Sequence, residues 1–73
     1  MDMPIRNRLK YWRHKLMIDR KKDFAAFLGV TPEQISEWES QRKQPSLDTA
    51  WRLKEKLGCT LDDLFEWIDE APR

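Results

Sequence analysis

The chain has 73 residues, with 14 basic and 13 acidic side chains and a net charge of +1, so overall charge gives no pull toward a polyanion. That length allows one small domain, expected over 1–73. Cys59 is the only cysteine, which excludes an internal disulfide, and it lies far from the one histidine, His14, which argues against a zinc pair.

No apolar run approaches a membrane span, and the first residues lack a signal-peptide core, so a cytoplasmic protein with no membrane role is expected. The charge is uneven. Residues 1–30 carry eight basic side chains against three acids, and residues 31–73 carry six against ten. One surface of the fold is therefore expected to suit a polyanion and another to face elsewhere.

In chain order, Ile5, Leu9, Trp12 and Leu16 recur at helical spacing and predict a first helix over about 5–16. A second, over 20–28, turns Phe24, Ala25 and Leu28 inward and ends at Gly29, a residue suited to a left-handed stop. Thr31, Pro32 and Gln34 then spell an N-cap, a first-turn proline and the third position of a capping box. They predict a third helix over 32–40 that buries Ile35 and Trp38. Pro45-Ser46 starts a fourth helix, with Leu47, Ala50, Leu53 and Leu57 facing the core. Leu57-Gly58-Cys59-Thr60 repeats the local pattern of Leu28-Gly29-Val30-Thr31, with Asp63 in the box position, and opens a fifth helix over 61–67. Cys59 reads as a small apolar group in this pattern, and Trp12, Trp38 and Trp51 read as core residues. No segment alternates with period two, so the expected class is all-α with five helices.

The second and third helices are joined by only Gly29, Val30 and Thr31, which forces a steep crossing and pushes the third helix outward. The ordered set Phe24-Ala25-x-x-Leu28-Gly29-Val30-Thr31, then Ile35-Ser36-x-Trp38-Glu39, then Arg42-Lys43-x-Pro45-Ser46-Leu47 resembles the Cro/C1-type (xenobiotic-response-element, XRE-like) helix-turn-helix family of phage repressors and bacterial regulators. The likeness runs over about 5–66, with the motif itself at about 20–40. It implies a lambda-repressor-like fold and a transcriptional regulator of double-stranded DNA. The residues themselves hold no His/Asp/Ser or Cys/His constellation and no glycine-rich phosphate loop, so no catalytic role, cofactor, metal or small-molecule ligand is expected. Carried over by position, the base-reading residues are Pro32, Glu33, Ser36 and Glu37. The phosphate-gripping residues are Lys21, Thr31, Arg42 and Lys43. The resemblance also implies a structural salt bridge between Arg13 and Glu39 that ties the third helix to the first. Gln41 stands where the family commonly has glycine, and Lys54 where it has a small residue.

Arg20, Lys21 and Lys22 add an argument independent of the resemblance. Cations at a helix N-terminus oppose its dipole, and a bound phosphate would account for their placement. Glu33 and Glu37 pull the other way, because a carboxylate repels phosphate and reads only a cytosine amino group well. They keep open a second reading, a protein-interaction module of the same fold, such as an antitoxin or anti-repressor. At the C-terminus, Leu61, Leu64, Phe65 and Ile68 form one helical stripe and Trp67 falls off it. Phe65, Trp67 and Ile68 are the expected interface of a homodimer, with a tail over 68–73.

Overall fold

A computed structural model of the chain describes residues 4–68. The element order is β1 (Ile5–Asn7), α1 (Leu9–Lys15), α2 (Lys21–Leu28), α3 (Pro32–Glu39), α4 (Leu47–Leu57), α5 (Leu61–Leu64) and β2 (Phe65–Trp67). The expected tail beyond Ile68 lies outside the described residues.

Helix boundaries follow the capping chemistry. Thr31 accepts from the Gln34 backbone N–H while the Gln34 side chain accepts from the Thr31 N–H, a complete box that starts α3. Thr60 and Asp63 do the same for α5. Gly29 and Gly58 close α2 and α4 at φ 76° and 69°, a region open to glycine at no steric cost.

Two corrections concern the ends of the chain. The fold is not strictly all-α. Ile5–Asn7 and Phe65–Trp67 pair as an antiparallel ladder, with Ile5 opposite Trp67, Arg6 opposite Glu66 and Asn7 opposite Phe65. The Arg8 N–H donates to the Leu64 carbonyl and the Ile68 N–H to the Pro4 carbonyl, which extends the pairing at both ends. The first helix accordingly starts at Leu9, where the Asn7 side-chain oxygen accepts from the Leu9 N–H. The fifth helix is a single turn, and Phe65 already has extended dihedrals. A lone turn has little stability of its own, so pairing with β1 takes the backbone instead. The helical stripe through Phe65 and Ile68 therefore does not exist.

The core is Leu9, Phe24, Ala25, Leu28, Ile35, Trp38, Leu53 and Leu64, with Trp12, Val30, Leu57, Cys59 and others packed against it. Burial raises the Cys59 thiol above its ordinary range, consistent with an apolar packing role. Four expected core residues are exposed instead: Ile5, Leu16, Leu47 and Trp51. Ile5 has left the helix for a strand edge. Trp51 lies on the outer side of α4, where the Lys54 ammonium stands 4.3 Å from its ring centroid.

Candidate nucleic-acid interface

The presentation of α3 begins at the turn. The Gly29 and Val30 N–H groups both donate to the Ala25 carbonyl, so α2 stops sharply, and the chain re-enters a helix at Pro32. Ile35 and Trp38 then sink into the core, fixing which side of α3 faces out. Pro32, Glu33 and Ser36 are exposed on that side and Glu37 is half-buried, so all four expected base-reading positions are on the helix.

The far end of α3 is held by Arg13. Its Nε donates to Glu39 Oε2 at 2.8 Å and its Nη2 to Glu39 Oε1 at 3.1 Å, a two-point contact. The third guanidinium nitrogen donates to the carbonyls of Ile18 and Asp19. One side chain thus joins α1, the α1–α2 connection and the last turn of α3. The pair is 8% and 3% exposed. Hydrogen bonding to Glu39, opposed by the cost of burial, raises the Arg13 pKa above its ordinary value. A fork-to-fork pair fixes orientation as well as distance.

The expected phosphate-gripping residues fall at three places. Lys21 opens α2, whose N-cap residue Arg20 makes no side-chain cap, leaving first-turn N–H groups without that partner. The Thr31 hydroxyl is engaged in capping α3. Arg42 and Lys43 lie just past α3 and are exposed. Their backbone N–H groups both turn back to the Glu37 carbonyl, so any grip from this loop must come from side chains. The Lys43 ammonium stands 3.4 Å from the Glu37 carboxylate, which partly offsets the negative charge on the outer face.

The loop is shaped by residues that sequence reasoning missed. Asn7 is 5% exposed. Its amide donates to the Trp38 carbonyl at 2.7 Å and to Gln44 Oε1 at 2.8 Å. Gln41 sits at φ 65°, which costs a residue other than glycine about 1–2 kcal/mol. Its side chain accepts from the Asn7 N–H and donates to the Asn7 carbonyl, both at 3.1 Å. Gln44 donates to Gln41 Oε1 at 2.8 Å and to the Ile5 carbonyl at 3.3 Å. The only hint in the sequence is the polar residue standing in a glycine position.

Of the three expected interface residues, Phe65, half-buried, and Trp67, 65% exposed, share one side of the ladder, and the half-buried Ile68 turns to the other side, so the structure does not bring all three together. Trp67 borders a shallow apolar groove with Ile5, Pro45, Leu47, Leu61 and Phe65. Among the described residues no helix is long and apolar enough to cross a membrane.

A helix-turn-helix family model matches residues 9–64. An HTH-type transcriptional regulator of Methanocaldococcus jannaschii, itself uncharacterized, is 32% identical over 68 residues, covering 90% of this chain and 98% of the relative. The fold is similar to the P22 c2 repressor in a crystal structure with a synthetic operator, at a TM-score of 0.66 and 31% identity, covering 75% of this chain and 82% of that one. It is also similar to a Bacteroides fragilis protein assigned to DNA binding, at a TM-score of 0.71 and 27% identity, covering 85% of this chain and 98% of the other. The capped, outward-facing α3, the short turn before it and these similarities agree, and the chain belongs to the Cro/C1-type (XRE-like) helix-turn-helix family of transcriptional regulators.

Proposed function

We propose that the chain is a sequence-specific regulator that places α3 in the major groove of double-stranded DNA. The observation that carries this reading is the way α3 is mounted. It is capped at its start, anchored at its end by the Arg13–Glu39 pair, and presents Pro32, Glu33, Ser36 and Glu37 on its outer side. A helix only eight residues long is held at both ends by a cap and a buried ion pair, which is what preorganised base contact requires. Lys21, Arg42 and Lys43, with Thr31 at the turn, supply the phosphate contacts that set register. The P22 c2 repressor, similar to this chain over 75% of its length, is a protein seen in complex with a synthetic operator.

Glu33 and Glu37 act by discrimination rather than attraction. Either carboxylate accepts well from a cytosine N4 amino group, less well from an adenine N6 group whose neighbouring N7 repels it, and meets guanine, thymine and phosphate oxygens unfavourably. The working unit is a homodimer, in which a second copy covers Trp67 and Phe65 together with the exposed Leu47, while strand alternation puts Ile68 on the other side of the ladder and outside that face. Large apolar groups clustered on one face mark an interaction surface. Two-fold symmetry would set two α3 helices roughly 34 Å apart, one DNA turn.

Selection of bound duplexes from a random library tests the reading. A recovered consensus with C·G pairs at fixed positions, relaxed at one or two of them in Glu37→Gln, is the expected result. Recovery of no consensus at any salt concentration would favour the second reading, in which the acidic face of α3 meets a protein.

A further inference from the structure

We propose that Asn7, Gln41 and Gln44 form a positioning clamp that sets where Arg42 and Lys43 stand relative to α3, so that β1 serves nucleic-acid binding without touching the nucleic acid. The inference rests on the docking of α3 on duplex DNA proposed above, and it assigns a role to three residues outside that docking surface.

The loop after α3 has weak means of holding its shape alone. Its backbone ties are the Gln41 N–H to the Trp38 carbonyl and the Arg42 and Lys43 N–H groups sharing the Glu37 carbonyl, the last at 3.4 Å. Local side chains add the exposed Lys43–Glu37 ion pair and the Gln44–Gln41 hydrogen bond, and the other restraint comes from residues more than thirty positions away in sequence. The Gln41 amide grips both the N–H and the carbonyl of Asn7, as a neighbouring strand would. Gln44 closes the same edge at the Ile5 carbonyl and joins Gln41. The Asn7 side chain, buried beneath them, reaches the Trp38 carbonyl in α3 and the Leu9 N–H at the start of α1. Arg42 and Lys43 lie between the two glutamines, so the clamp fixes both ends of the segment that carries them.

Gln41 carries the strongest part of the argument. Glycine would occupy its left-handed backbone more readily. A side chain kept there at a conformational cost, with both its amide groups used on one partner residue, points to a need for the amide. β1 is itself anchored by β2, so the clamp connects the chain's ends to the loop. A lysine or arginine side chain adds to the salt slope only where it reaches a phosphate in the complex, so a loop that relaxes away from the end of α3 loses those contacts outright.

Gln41→Gly and Gln41→Asn separate positioning from stability. Glycine removes the clamp and relieves the backbone. Asparagine tolerates the left-handed conformation but is one methylene too short to reach Asn7. Both variants are compared with the wild type for thermal midpoint, for affinity toward a selected duplex, and for the dependence of that affinity on salt. The expected result is a midpoint changed by only a few degrees, affinity lowered about tenfold, a salt slope smaller by about one unit for each phosphate no longer gripped, and an unchanged base preference. Wild-type affinity and slope in both variants would overturn the proposal, as would a loss of affinity with the slope intact. A wild type that binds no duplex refutes the DNA reading itself, an outcome separate from any difference between variants.

Discussion

At the scale of single residues, the decisive interaction is the Arg13–Glu39 pair. Two ions with almost no solvent exposure contribute little net stability against an apolar alternative, yet losing one leaves the other without compensation. Glu39→Ala strands the Arg13 guanidinium and is expected to destabilise the protein by about 3 kcal/mol. Urea denaturation checks this, and a loss below about 1 kcal/mol would place the pair among surface ion pairs. Positions on α3 and the residues that cap it were legible in the sequence because each is a local pattern. Thr31, Pro32 and Gln34 lie within one turn, and so do Thr60 and Asp63. The Asn7–Gln41–Gln44 cluster was not legible. It joins residues 34 and 37 positions apart through side-chain amides, which leave no periodicity to read.

At the scale of elements, α2, α3 and α4 follow the apolar spacing and the glycine stops, and their boundaries fall within a residue or two of expectation. The strands were hidden for a physical reason. Three residues are too few to display alternation, and Ile5 and Phe65 fit a helical stripe as well as a strand. Leu47 and Trp51 mark a related limit. Helical spacing says which residues share a face of α4, but the width of that face covered by the core depends on what packs there. The ladder itself makes a testable pattern. The Arg8 N–H meets the Leu64 carbonyl and the Ile68 N–H meets the Pro4 carbonyl. Antiparallel alternation then directs the Glu66 N–H inward to Arg6 and the Trp67 N–H outward. Amide exchange at low protein concentration is expected to be slow at Arg8, Glu66 and Ile68 and fast at Trp67. Equal exchange at Glu66 and Trp67 would mean the short ladder is not the solution structure.

At the scale of the whole molecule, the outer face of α3 and the apolar face around Trp67 are lined by different residues. The first is expected to meet DNA and the second a copy of the chain. Trp67→Ala is expected to shift the protein from dimer to monomer at micromolar concentration, measured by sedimentation. A wild type that stays monomeric both free and on DNA would contradict the dimer. The central claim is that Lys21, Arg42 and Lys43 dock α3 on the phosphate backbone. The measurement that tests it most directly is duplex affinity as a function of salt, for the wild type and for the variant with all three side chains neutralised. Each neutralised phosphate contributes a slope of about −0.9 in log affinity against log salt, so the triple variant is predicted to have a slope about three units shallower for each bound protomer, roughly twice that for a dimer, and to weaken on all sequences alike. An unchanged slope and affinity in that variant would contradict the account.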